Sequence, residues 1–152
     1  MPGLLNNIDP DGLLEYSVVY TDRSLNHMSD SFHKVMNDVS TSLKEVYKAD
    51  EVVLVPGGGT YAMEAVARQF ATNQSCLILR NGWFSFRWSQ IFEMGDIPSE
   101  EIVLKAQRVS EGSQAPFAPP DINEVIKLIK DKKPAMVFAP HVETSSGVIL
   151  PN

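Results

Sequence analysis

Val55-Pro56-Gly57-Gly58-Gly59-Thr60-Tyr61-Ala62-Met63-Glu64 runs from an apolar segment through three glycines straight into a helical pattern, and its reading decides the fold. Val52 to Val55 is a continuous apolar run, the pattern of a strand covered on both faces. Thr60 to Phe70 sets Ala62, Met63, Val66, Ala67 and Phe70 on one side of a helix. Between the two, glycines let the backbone turn sharply and come close to a ligand with no Cβ in the way. The free N–H groups of the next helix's first turn face the loop, where the helix dipole favours an anion. Thr60 adds a hydroxyl that either caps the helix or bonds a phosphate oxygen. The stretch fits neither common nucleotide fingerprint. The third glycine of Gly-x-Gly-x-x-Gly falls at Ala62, and the Lys-Ser/Thr pair of the phosphate loop is missing. An anion is favoured over a dinucleotide or ATP, with tight strand–helix packing as the structural alternative.

Outward from this loop the chain alternates short apolar runs with helical patterns. Cys76 to Leu79 reads as a strand, and Trp83 to Met94 as a helix with Phe84, Trp88, Ile91 and Phe92 inward and Gly95 as its stop. Glu101 to Leu104 reads as a third strand. A Ser-, Gly-, Gln- and Pro-rich loop covers Ser110 to Pro120. Asp121, with Glu124 three residues on, resembles a capping box and opens a helix whose apolar stripe is Ile122, Val125, Ile126 and Ile129. Ala135 to Ala139 reads as a fourth strand. Upstream, Phe32, Val35, Met36, Val39, Leu43, Val46 and Tyr47 recur at helical spacing after a cap at Ser29 or Ser31. Residues 1–30 are turn-rich and irregular, punctuated by Asn6-Asn7, Asp9-Pro10 and Asp11-Gly12. This order predicts an α/β fold, three layers α/β/α around a mainly parallel sheet, over residues 31–152.

Composition narrows the function classes. At 43% hydrophobic and 21% charged, the 152 residues suit one packed domain rather than a disordered chain. A net charge of −6, spread along the chain, speaks against nucleic acid or an anionic membrane as a partner. The Lys127, Lys130, Lys132 and Lys133 cluster falls at a helix end, where it complements the dipole. No apolar stretch nears the roughly 18 residues of a membrane span, and no secretion signal is visible, so a cytoplasmic setting is expected. Cys76, the single cysteine, sits in an apolar run and reads as a small buried hydrophobe. No two histidines have metal-ligand spacing, so no metal site is expected. Ser85 and Ser145 have no evident base partner, which leaves a hydrolase triad without support.

At this point the whole chain resembles the class V (fold type I) pyridoxal-phosphate aminotransferases of the alanine–glyoxylate and serine–pyruvate kind. Pro2-Gly3 is similar to the opening of these enzymes, and Leu25-Asn26-His27-Met28-Ser29-Asp30-Ser31-Phe32 to their His-Arg-Ser-x-x-Phe segment. Gly57 to Ala65 resembles their cofactor-phosphate loop, and Asn81-Gly82-Trp83-Phe84 their Asn-Gly-x-aromatic segment. His141-Val142-Glu143-Thr144-Ser145-Ser146-Gly147-Val148 is similar to their His-x-Glu-Ser/Thr-Ser-x-Gly segment. The resemblance implies pyridoxal 5′-phosphate as cofactor, with Gly58, Gly59 and Thr60 on its phosphate. It further implies the Phe84 ring against the pyridine, with Trp83 as the neighbour one residue off. Thr144 would bond the phenolic oxygen or the Schiff-base region. Small amino acids and 2-oxo acids are the implied substrates, and a homodimer the implied assembly.

Two positions depart from the pattern. Met28 stands where an Arg is common, and Phe84 replaces the usual Trp, which keeps a flat face and loses an N–H donor. A larger departure is positional. The aspartate that meets the pyridine nitrogen, the Schiff-base lysine and the carboxylate-binding arginine of the family all fall beyond Asn152. None of the chain's eight lysines stands in the matching context. The resemblance therefore implies an N-terminal portion of the enzyme's large domain that is inactive by itself. The alternatives are another fold type I enzyme, such as a cysteine desulfurase or lyase, and a non-catalytic fragment that binds phosphate or a partner chain.

Overall fold

The computed structural model of the protein describes residues 27–151, which fall into two compact units divided between Leu54 and Val55. The expectations for residues 1–26, including the Pro2-Gly3 and Leu25-Asn26 matches, lie outside the described residues.

In the first unit, α1 (Asp30–Tyr47) starts where Ser29 Oγ accepts the Phe32 N–H at 3.1 Å, so of the two candidate caps it is Ser29 that acts. The helix stops at Lys48, whose left-handed φ of 50° ends the α conformation. The apolar run Val52–Val55 is not a strand. It pairs with no other segment among the described residues, and Val53 is 83% exposed. An isolated strand gains no ladder hydrogen bonds, so an apolar pattern without a neighbouring edge does not become sheet.

The second unit is built on β1 (Ser75–Arg80), whose Cys76-Leu77-Ile78-Leu79 core is buried on both faces. β1 is the middle of a parallel sheet of order β2-β1-β5, with β2 at Glu100–Lys105 and β5 at Met136–Phe138. Ser75 to Arg80 lie opposite Glu100 to Lys105, and Cys76 to Ile78 opposite Met136 to Phe138. Strand alternation sends Cys76 and Ile78 to one face and Leu77 and Leu79 to the other. The first face packs on α2 (Gly59–Val66), a π-helical turn (Ala67–Ala71) and α3 (Trp83–Gly95), through Ala67, Ala71, Ile91 and Phe92. The second packs on α4 (Ile122–Lys132) through Val125, with Leu128 and Ile129 half-buried beside it. The α/β class and parallel sheet expected from the sequence are both present. Full burial of Leu77 or Ile78 stabilises the fold by about 2 kcal/mol each.

Several finer expectations are corrected. The helix expected to reach Phe70 slackens into the π turn, which leaves Phe70 58% exposed while Ala67 and Ala71 take the core. Ile122 and Ile126 lie on the exposed side of α4. Asp121 caps α4 by taking the Asn123 N–H at 2.8 Å, without a recorded return bond from Glu124. The 110–120 loop carries β4 (Phe117–Ala118), antiparallel to β3 (Gln107–Arg108). After β5 the chain makes a last hairpin, β6 (Val142–Glu143) with β7 (Val148–Ile149). Cys76 is fully buried, and burial first, then the neighbouring Glu101 charge, pushes its thiol pKa up. No described helix is long and apolar enough to cross a membrane.

Candidate functional site

The C-terminal end of β1 opens onto two helix N-termini, those of α2 and α3, which pack against each other. At α2, Gly57 takes the turn at φ 128°, where a Cβ would stand 2.5 Å from the Tyr61 ring. Gly58 is the N-cap in extended conformation and offers no side chain, and nothing lies within 4 Å of a Cβ built on Gly58 or Gly59. The first recorded helical bond is Tyr61 N–H to Gly58 O at 2.9 Å. The N–H groups of Gly59 and Thr60 precede it and meet no acceptor among the described residues. Thr60 is exposed, and Arg87 Nη1 of α3 donates to its hydroxyl at 3.4 Å.

At α3 the N-terminus is filled. Trp83 N–H donates to Ser145 Oγ at 2.7 Å, Phe84 N–H to Glu143 Oε1 at 3.0 Å, and Ser85 N–H to Glu143 Oε2 at 2.7 Å. The hydroxyls of Ser145 and Ser85 donate to the same carboxylate at 2.6 and 2.7 Å. Ser85 Oγ in turn accepts the N–H groups of Asn81 and Gly82, and the Ser146 hydroxyl donates to Asn81 O at 2.7 Å. Glu143 is fully buried. Burial by itself would raise its pKa; the hydrogen bonds from Ser145, Ser85 and the Phe84 and Ser85 amides together outweigh that and hold the carboxyl below its usual range.

This arrangement settles where the expected site residues stand. Phe84 is 50% exposed instead of inward, and its backbone N–H is bonded to Glu143. Phe84 and Arg87 are three residues apart on α3 and so share a face, the one whose Arg87 reaches Thr60. Thr144 is exposed and next in sequence to Glu143, the residue that binds the Phe84 amide. Trp83, also exposed, stands 5.7 Å from Phe86, ring to ring. Ser85 and Ser145 have a buried carboxylate as partner, not a histidine.

A solved structure has the same arrangement of helices and strands. The fold is similar to part of a solved aminotransferase. The crystal structure of ureidoglycine–glyoxylate aminotransferase from Bacillus subtilis superposes with a TM-score of 0.68 at 23% identity, over 82% of this chain and 30% of that one. In sequence, the chain is 28% identical over 127 residues to the soluble hydrogenase small subunit of Synechococcus sp. (strain PCC 6716), which covers 82% of this chain. The chain spans about a third, 31% and 30%, of the lengths of these two proteins. No family model matches it.

Two members of this candidate site carried no role in the sequence reading. Arg87 had one legible signal: a cation three residues after Phe84, the ring that the resemblance sets against a cofactor. Glu143 had another, an acid followed directly by three hydroxyl residues, Thr144, Ser145 and Ser146, which can supply the donors that a buried charge needs.

Proposed function

We propose that this chain is the cofactor-holding part of a pyridoxal-phosphate-dependent aminotransferase that moves an amino group between a small amino acid and a 2-oxo acid. One observation carries the reading: α2 begins with unfilled amides between bare glycines, with a hydroxyl and a guanidinium beside them. A phosphate group suits that donor set. Its charge meets the helix dipole, the Gly59 and Thr60 N–H groups, the Thr60 hydroxyl and Arg87. Gly58 keeps side chains away from the oxygen atoms. The exposed face of Phe84 suits a flat heteroaromatic ring, and Thr144 offers a hydroxyl donor. The coenzyme, when bound, supplies an electron sink for the substrate's Cα. This chain's part is to bind and orient it. None of the eight lysines in these 152 residues stands in the context of the family's Schiff-base lysine, so in this proposal these residues by themselves bind without turnover. A homodimer in the cytoplasm belongs to the same proposal.

The test uses pyridoxamine 5′-phosphate, which has no aldehyde to react with surface lysines. Expected is saturable binding that inorganic phosphate competes away, weakened roughly five- to ten-fold by Arg87→Ala. Absence of saturable binding, or a soaked crystal in which the Gly59 and Thr60 amides meet only protein atoms, removes the proposal.

A second reading is favoured by the relative named a hydrogenase small subunit. Under it the chain is a non-catalytic association module that keeps the fold. With one cysteine it brings no thiolate cluster, so its contribution would be contact surface. Stable complex formation by size-exclusion chromatography, without coenzyme binding, would select this reading.

A further inference from the structure

The carboxylate of Glu143 has no route to solvent and no basic partner among its recorded contacts, yet it accepts four hydrogen bonds in two pairs. Oε1 takes the Phe84 amide and the Ser145 hydroxyl; Oε2 takes the Ser85 amide and hydroxyl. Such a group is costly to bury, and its cost is met only while all the donors stay in place. The donors come from two segments: the first turn of α3, and the turn after β6. Gly82 makes the approach possible, because a Cβ there would lie 2.6 Å from Glu143 Cγ and 2.6 Å from Ser145 Oγ.

We infer that Glu143 is a positioning residue, a buried clamp that fixes the exposed ring of Phe84 and the hydroxyl-bearing Thr144 in one frame. Its neighbours in sequence and in hydrogen bonding are the two residues that must meet opposite parts of one flat ligand. Glu143 touches neither ligand nor solvent. It acts through the backbone: the Phe84 amide is bonded to its Oε1, and Thr144 follows it in the chain. Filling the α3 N-terminus also leaves α2 as the one of the two helix starts open to an anion. The clamp stands on the hydrogen bonds alone; its service to a coenzyme rests on the function proposed above.

Glu143→Gln is the decisive variant because it is nearly isosteric. Each carboxylate oxygen faces a backbone N–H, so whichever atom becomes NH2 points a donor at a donor. Amide hydrogen exchange on the full chain should then accelerate at least roughly ten-fold at residues 83–85 and 143–146, with β1 and β2 unchanged. Pyridoxamine 5′-phosphate should bind roughly ten-fold more weakly, while inorganic phosphate, which needs only the α2 end, binds as before. Ser145→Ala, which removes one donor and leaves the charge, should shift both readouts the same way by a smaller factor, and it serves if Glu143→Gln does not fold. Unchanged exchange at 83–85 in the folded variants overturns the clamp. Equal losses of phosphate and pyridoxamine phosphate affinity overturn it as well, since they indicate general loosening. Should the wild type bind neither ligand, the proposed function falls, and the exchange rates still decide the clamp.

Discussion

α2 and α3 both begin just after a glycine at one end of the same sheet, and they have opposite fates. The N-terminus of α3 is closed by a carboxylate and a serine from a segment some sixty residues away, whereas the N-terminus of α2 has no side-chain cap. Their glycines differ accordingly. Gly82 is needed because Glu143 and Ser145 press on its Cα, and Gly58 has nothing within 4 Å of where a Cβ would be. A helix start is thus not a site by virtue of its dipole. It becomes one when the fold declines to fill it.

The strongest way to break this contrast is to add one methyl group at each helix start. Gly82→Ala places a Cβ 2.6 Å from Glu143 Cγ and should cost about 3 kcal/mol, since the buried carboxylate has no room to retreat. For a chain of this size that corresponds to a fall in Tm of about 6–12 °C. Gly58→Ala meets open space and should leave Tm within about 1–2 °C. Thermal melts followed by circular dichroism compare the two. Equal losses would mean that the two helix starts do not differ as described.

Next in size is Gly57→Ala, at the entrance to α2. Its φ of 128° disfavours any side chain, and the methyl group would also meet the Tyr61 ring at 2.5 Å. Tyr61 is 64% exposed and can swing aside, so the backbone strain remains, at about 1–2 kcal/mol. Urea denaturation reads that difference. A neutral result would show that the turn relaxes, and that the first glycine of the stretch is not what shapes the α2 end.

How much of this was legible in the sequence differs by scale. The run Cys76 to Leu79 announces a strand covered on both faces, and the structure gives it two apolar layers, because four consecutive buried side chains cannot be served by one. The run Val52 to Val55 has the same appearance and forms no strand, because pairing depends on a neighbour that periodicity cannot supply. Phe84 shows the limit inside a helix: its spacing fits the core stripe of Trp88, Ile91 and Phe92, yet in the first turn of α3 it is half exposed. The loop from Gly57 to Thr60 was readable from residue types alone as a glycine turn that enters a helix. Closure of the other helix start was not, since Glu143 and Phe84 are fifty-nine positions apart and only folding brings the acid to the amide.

Acid titration sharpens the comparison further. The pKa of Glu143 is lowered in the folded chain, so its contribution is fully present above the ordinary glutamate range of about 4 to 4.5 and is lost as pH falls through the lower folded value. Exchange at Trp83, Phe84 and Ser85, corrected for its intrinsic pH dependence, should therefore stay flat from pH 7 to about 5 and rise only at more acid values. The Gly59 and Thr60 amides, with no carboxylate on them, should show no such step. A step centred above pH 5 would contradict the lowered pKa.

The smallest expected effect is at the open end, from Thr60→Val. The substitution is nearly isosteric and removes the hydroxyl that Arg87 reaches at 3.4 Å, a long and exposed contact that stabilises the fold little. Stability should change by less than about 0.5 kcal/mol. Affinity for inorganic phosphate should fall about three- to ten-fold, as for the loss of one hydrogen bond to a charged group. Isothermal titration with phosphate, on a variant whose melting curve overlays the wild type, measures it. The opposite pattern, lost stability with unchanged phosphate binding, would make Thr60 a helix cap, and α2 would then be a second closed start like α3.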